Sequence, residues 1–288
     1  MSIKTIAVLG QGQMGSGITQ HAAACGYEVL LYGRNPEKVA KAVAKIGASY
    51  DKNVAKGKMD AAAAEAAKAK ISTTNVLEDV ANCDIVIEAI SEDPELKKDF
   101  FKKLEDICKP EAILATNTSS ISITSIASAL KNPARFIGMH FFSPVPLMKL
   151  IEVIMGNDTA EETYAAVKEL CDGLNKISVK VCKDTPGFIV NRVLFAYFLE
   201  CIHIYEEGIA TKEDIDNAIH YGLNHPVGPF SMMDMGGLDT FPHVCESLQT
   251  IEDEGASVRF ACPKSVAELS AAGKYGRKSG EGWYKYNA

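Results

Sequence analysis

The stretch Ile3 to Gly17 reads IKTIAVLGQGQMGSG, and its reading decides the fold. Ile6-Ala7-Val8-Leu9 is a short, unbroken apolar run, the pattern of a strand buried on both faces of a sheet. It runs into Gly10-Gln11-Gly12-Gln13-Met14-Gly15, a G-x-G-x-x-G pattern, after which Ile18 to Cys25 reads as a helix closed by Gly26. This succession suits a dinucleotide. Gly10 allows the tight turn, Gly12 lets the backbone approach a pyrophosphate, and Gly15 lets the helix pack closely on the strand. The helix N-terminus adds free N–H groups and a partial positive charge for the phosphates. An ordinary glycine-rich turn can carry the same pattern, so the specificity comes from its place between strand and helix. Gly10, Gln11, Gly12, Gln13, Met14 and Gly15 are accordingly read as cofactor-binding.

Further along, Glu28 to Tyr32 (EVLLY) is a second strand, and Pro36 opens a helix to about Lys56 that alanine-rich Asp60 to Lys70 continues. Ile71 to Thr73, Asp84 to Glu88 (DIVIE) and Ala112 to Ala115 read as strands, with a helix from Pro94 to Cys108 before the last. Such alternation predicts an α/β fold of Rossmann type, a doubly wound parallel sheet whose ligands lie beyond the carboxyl ends of the strands. That edge gathers Gly10 to Gly15, the end of the second strand, Glu88 to Glu92 and the polar run Thr116 to Ser120. Arg135 to His140 and Leu150 to Ile154 add two strands joined by the loop Phe141 to Pro146, followed by a helix at Thr159 to Leu174 and a strand at Ser178 to Val181. After Asp184-Thr185-Pro186-Gly187 only helical periods remain, to about Ser270. Two domains follow: residues 1–185 for the dinucleotide, and residues 186–288 as an all-α C-terminal domain for substrate and dimerisation.

The 288 residues carry a formal net charge of −7, which argues against nucleic acid or an anionic membrane as partner. Anionic ligands must then be held by local lysines and helix ends. Eight scattered cysteines form no C-x-x-C pair and no zinc spacing with histidine, so no metal is expected and the thiols read as reduced and mostly buried. The first strand begins within about three residues of the N-terminus, no signal or transit peptide is visible, and a cytoplasmic location is expected. The longest apolar stretch, Phe188 to Tyr205, is interrupted by Asn191, Arg192, Glu200 and His203. It falls short of the ~20 residues a membrane span needs and reads as a buried helix.

NAD-binding domains place an acidic residue at the end of the second strand, ~20 residues past the glycines, on the ribose 2′-hydroxyl. Here that place reads Tyr32-Gly33-Arg34-Asn35, with no carboxylate. Arg34 can take a 2′-phosphate in a forked contact and stack on adenine, although a solvated arginine in a loop would look the same. NADP(H) is favoured over NAD(H).

His140 ends one strand and Glu152 lies in the middle of the next, so a tight loop between antiparallel neighbours could bring their side chains together. Histidine is suited to taking a proton from an alcohol near neutral pH, and a carboxylate on its other nitrogen fixes the tautomer and stabilises the imidazolium. Ser119 and Asn191 could bind the substrate oxygen, with Asn191 opening the helical domain. Taken singly, each has a plain alternative: a core histidine, a rim charge, or a serine capping a helix at Ile121.

The motifs GQGQMGSG, VIEAISE, ATNTSSISIT, GMHFFSPVPLMKLIEV, KDTPGFIVNR, NHPVGPF and GRKSGEGWYKY run through essentially the whole chain. Through them it resembles short-chain 3-hydroxyacyl-CoA dehydrogenases, the bacterial 3-hydroxybutyryl-CoA group most closely. The resemblance implies reversible hydride transfer between C3 of an L-3-hydroxyacyl-CoA and a nicotinamide. In it His140 acts as acid and base, Glu152 orients it, and Ser119 and Asn191 hold the reacting oxygen and the acyl group. It further implies a homodimer formed by the helical domain and a site in a cleft between the domains. Glu92 and Lys97 would lie near the nicotinamide ribose, and Ser49 and Lys56 near the CoA phosphates. Two departures stand out. The family's HFFNP is here His140-Phe141-Phe142-Ser143-Pro144, so a contact near the cofactor or dyad is lost or water-mediated, and Gly33-Arg34 replaces the family's aspartate. Two competing readings are a non-catalytic relative kept for binding or structure, and a β-hydroxyacid or imine reductase built on a lysine. The intact Ser119, His140, Glu152 and Asn191 set speaks against the first. Against the second, Lys183 is the only lysine near the domain junction.

Overall fold

Among the described residues eight strands form one sheet, in the first of the two units into which the chain divides between Asp184 and Thr185. The structure is a computed structural model that describes residues 3–286. The strands are β1 (Thr5–Leu9), β2 (Glu28–Tyr32), β3 (Ile71–Thr74), β4 (Ile85–Glu88), β5 (Ile113–Thr116), β6 (Phe136–Phe141), β7 (Leu150–Ile154) and β8 (Ile177–Val181). Their order is β3-β2-β1-β4-β5-β6-β7-β8. Pairing is parallel from β3 through β6, then β7 runs antiparallel to β6 and β8 parallel to β7. The order reverses at β1, between β2 and β4, which opens a crevice beyond the carboxyl ends of β1 and β4.

The helices of this unit are α1 (Gln13–Ala24), α2 (Pro36–Ala55), α3 (Ala61–Ala69), α4 (Pro94–Ile107), α5 (Ile123–Ala127) and α6 (Glu161–Gly173). Side chains alternate across the sheet, so each strand feeds two cores. Ile6, Val8, Ile85, Ile87, Ile137 and Met139 pack with Ile18 of α1 and Val167 of α6. On the opposite face, Phe136 meets Phe101 of α4 edge-to-face at 4.7 Å. Burial on both sides explains why these strands read as continuous apolar runs.

Three segments depart from the sequence reading. Helix α1 begins at Gln13, not Ile18, so the second half of the glycine turn is already its first turn. Gly15 and Gly17 are poor helix formers and hid this start. Packing overrides propensity here, because a Cβ on Gly15 would lie 1.8 Å from the Gly10 carbonyl oxygen. Asp60–Lys70 does not continue the preceding helix. Gly57, at φ +66°, ends the first run, and the Asp60 carboxylate caps a separate α3. Finally, α5 is capped by Ser122, whose Oγ accepts from the Ser125 N–H at 3.0 Å, so Ser119 is not a helix cap.

The second unit holds α7 (Val190–Glu206), α8 (Lys212–Gly222), α9 (Pro229–Gly236), α10 (Phe241–Gln249), α11 (Ala256–Arg259) and α12 (Lys264–Ala271). Phe198, Ile202, Phe230, Phe241, Leu248 and Trp283 form its core. Buried Asp234 accepts from the Trp283 and Tyr284 N–H groups and the Tyr286 hydroxyl, all at 2.9 Å, and so fastens the C-terminal segment to α9. Among the described residues no helix is long and apolar enough to cross a membrane, and no cluster of three or more His, Cys, Asp or Glu could hold a metal ion.

Candidate active site

At the turn after β1 the glycines form a cradle. Gly10 has φ +116°, and a Cβ there would come within 2.4 Å of the Ala89 oxygen, so only glycine fits. Gly12 faces open space, with no atom within 4 Å of the place a Cβ would take, and no side chain caps the first turn of α1. Beside this turn lies a cavity of about 400 Å³, with Gly33 and Arg34 on one side and Ile90, Leu96 and Phe100 on the other. An apolar wall, an open backbone cradle and an uncapped helix start are the donor and shape set a dinucleotide needs. A larger cavity of about 760 Å³ adjoins Gln11 to Gln13 and is lined by Lys38, Lys41 and Lys45 of α2.

The antiparallel register of β6 and β7 pairs His140 directly with Glu152, which sets both side chains on one face of the sheet. His140 Nδ1 lies 2.7 Å from Glu152 Oε2. Glu152 is fully buried, and His140 is 6% exposed where it meets a cavity of about 390 Å³. A carboxylate that accepts from Nδ1–H leaves Nε2 as the basic nitrogen facing the cavity. Phe142 packs on the imidazole, with ring centroids 4.4 Å apart.

The same cavity is lined by Met14, Glu92, Lys97, Asn117, Ser119 and Ser143. Below it sits a buried ion pair, Lys97 Nζ to Glu88 Oε1 at 2.6 Å, with exposures of 1% and 0%. Glu88 also accepts from the Ile90 N–H and the Thr116 hydroxyl, each at 2.7 Å. Buried charge of this kind persists only when its remaining polar atoms are satisfied. Lys97 reaches Glu92 Oε2 at 3.1 Å, and Glu92 in turn accepts from the Thr118 hydroxyl and the Ser119 N–H. Burial alone would raise the Glu92 carboxyl, but the Lys97 charge and these hydrogen bonds outweigh it and hold it below the ordinary carboxylate range. Gln13 donates its amide to Ser143 Oγ at 2.8 Å, so the serine ties its loop to the first turn of α1.

In the first unit, then, His140, Glu92, Lys97, Ser119, Ser143 and Met14 share one cavity, with Glu152 behind His140. Gly10, Gln11, Gly12, Gly33 and Arg34 line the neighbouring one, and Gln13 lines the lysine-rich one. Ser49 and Lys56 line none of these: Ser49 Oγ accepts from Gln20 of α1 at 2.9 Å, and Lys56 is exposed at the end of α2. Asn191 lies in the first turn of α7, in the second unit. Lys183 is exposed on the loop after β8 and lines none of these cavities. Sequence reasoning missed Glu88 as a charge anchor, though a lone glutamate closing the apolar run DIVIE was its signal. It also missed Asn117, whose Oδ1 accepts from the Phe141 N–H at 2.9 Å and joins β5 to the His140 strand. Buried Lys176 gave no signal, yet its ammonium donates to the Val145 and Met148 carbonyls at 2.6 Å and pins the loop that follows Ser143.

Residues 5–185 match the NAD-binding domain of 3-hydroxyacyl-CoA dehydrogenase, and residues 187–286 match its C-terminal domain. The chain is 45% identical over 283 residues to a 3-hydroxybutyryl-CoA dehydrogenase of Clostridioides difficile, covering 98% of this chain and 99% of that one. It is 42% identical over 291 residues to the human mitochondrial hydroxyacyl-coenzyme A dehydrogenase, covering 99% of this chain and 91% of the human one. The crystal structure of (S)-3-hydroxybutyryl-CoA dehydrogenase from Ralstonia eutropha superimposes with a TM-score of 0.95 at 40% identity, over the full length of both chains.

Proposed function

The chain belongs to the 3-hydroxyacyl-CoA dehydrogenase family, and from that premise we propose that it interconverts an L-3-hydroxyacyl-CoA and its 3-ketoacyl-CoA, 3-hydroxybutyryl-CoA and acetoacetyl-CoA foremost. The observation that carries this is the 2.7 Å contact between His140 and buried Glu152 at the wall of a cavity that Ser119 and Glu92 also line. When bound, the nicotinamide supplies the hydride acceptor or donor. In the oxidation direction His140 Nε2 takes the proton of the 3-hydroxyl while Glu152 balances the positive imidazolium. In reduction the same nitrogen returns it. The Ser119 hydroxyl donates to the reacting oxygen, and Asn191 holds the same oxygen or the acyl group. Glu92 and Lys97 hold the nicotinamide ribose, Lys97 anchored by Glu88 so that Glu92 keeps one position.

The cofactor is NADP(H) in preference to NAD(H), because Gly33 offers no carboxylate and Arg34 offers a forked donor at the rim of the cavity beside the glycine turn. Lys38, Lys41 and Lys45 give α2 the local positive charge that acyl-CoA phosphates need in a chain of net charge −7, with Lys56 at the far end of the same helix. The second unit forms a homodimer. Exposed apolar residues there, among them Val193, Tyr221, Leu223 and Val258, support this and make a mass measurement by light scattering worthwhile. The test of the function is a steady-state assay of acetoacetyl-CoA reduction against NADPH and NADH. Turnover with a higher catalytic efficiency for NADPH is expected, and no turnover with either cofactor would overturn the assignment.

A further inference from the structure

A side chain at position 33 would crowd Gln11 and Val39. A Cβ built on Gly33 would lie 2.4 Å from Gln11 Oε1 and 2.6 Å from Val39 Cγ2. The amide of Gln11 therefore occupies the ground from which a carboxylate at position 33 would reach a ribose 2′-hydroxyl. The Gln11 backbone carbonyl accepts from Ser16 Oγ at 3.0 Å, which ties the backbone of the turn to α1. Its side-chain amide meets no hydrogen-bond partner among the described residues, and the residue lines both the cavity with Arg34 and the one with Lys38. An amide carries one acceptor and two donors, and a half-turn about its last bond presents the NH2 end to either cavity.

We infer that Gln11 is a specificity-determining residue for the cofactor: its amide takes the place a side chain at position 33 would occupy and donates to the 2′-phosphate beside Arg34. This rests on the NADP(H) reading above. Two consequences separate Gln11 from a passive spacer. A glutamate of the same length would set a negative charge beside the phosphate, within reach of Arg34 and Lys38, and would accept from a 2′-hydroxyl instead. An alanine would remove the donor without adding a charge.

The test is direct binding, by calorimetry on the full chain, of 2′,5′-ADP and 5′-AMP, which differ only in the 2′-phosphate. Wild type, Gln11→Glu and Gln11→Ala are compared, with circular dichroism and melting temperature as controls for folding. Wild type should bind 2′,5′-ADP about tenfold or more tighter than 5′-AMP. Gln11→Glu should abolish or invert that ratio while leaving 5′-AMP within about twofold, and Gln11→Ala should fall between them. If wild type discriminates and both variants discriminate equally well, Gln11 has no such role and the NADP(H) reading stands on Arg34 alone. If wild type binds the two probes equally, the NADP(H) reading falls and this inference falls with it.

Discussion

His140 and Glu152 stand directly opposite one another on antiparallel β6 and β7, with Nδ1 and Oε2 2.7 Å apart and the carboxylate fully buried. A strand pair holds this geometry more rigidly than a loop could, because the ladder fixes both backbones. Glu152→Gln keeps the shape and one acceptor but removes the charge that balances the imidazolium. We expect turnover to fall by roughly 10- to 1,000-fold with the fold intact. Measured kcat and a pH–rate profile equal to wild type would remove Glu152 from the mechanism.

Arg34 tests the cofactor choice. Arg34→Ala should raise the Michaelis constant for NADPH by roughly 10- to 100-fold and leave that for NADH almost unchanged, since only the first loses a charge-assisted contact. The residue is exposed, so added salt should erode the wild-type preference. A clear NADH preference in wild type at low salt would show instead that Arg34 stacks on the adenine both cofactors share.

The Glu88–Lys97 pair makes a stability prediction. Lys97→Met leaves a carboxylate at 0% exposure without its cation and should cost about 3–5 kcal/mol in urea unfolding. The double change with Glu88→Gln removes the stranded charge and should recover a large part of that loss. A single variant within about 1 kcal/mol of wild type would mean that Glu88 finds other compensation.

Much of this was legible in the sequence because the strands are buried on both faces and announce themselves as apolar runs. The family resemblance then carried the site: strand position alone allowed His140 and Glu152 to meet across an antiparallel turn, and the resemblance gave them their acid–base and orienting roles. What escaped depends on contacts that no local pattern encodes. The start of α1 is set by Gly15 meeting Gly10 across the turn, which overrides helix propensity. Lys176 is charged and reads as a surface residue, yet two carbonyls far away in sequence satisfy it while buried. Ser143 reads as a lost amide, and only the fold reveals Gln13 as the group that answers it.

Asp84 ties the first strand to the fourth and gives stability a pH dependence. Its carboxylate accepts from the Lys4 and Thr5 N–H groups at 2.8 and 2.9 Å and pairs with Lys109 at 2.7 Å. Burial alone would raise it, but Lys109 and these hydrogen bonds hold it well below its ordinary value. The unfolded chain therefore takes up the proton first. This stabilisation is complete above the unfolded value of about 4 and is lost as pH falls further. Asp84→Asn should cost about 1.5–3 kcal/mol at neutral pH and flatten the acid limb of the stability curve. An acid limb identical to wild type would show that other carboxylates govern it.

The most direct measurement is single-turnover reduction of acetoacetyl-CoA by wild type and His140→Gln, alongside cofactor affinity from fluorescence titration. We expect the rate to drop by a factor on the order of 10² to 10⁴ while cofactor affinity stays within about twofold. A variant that keeps most of the wild-type rate would contradict the assignment of His140 as the acid and base of this site.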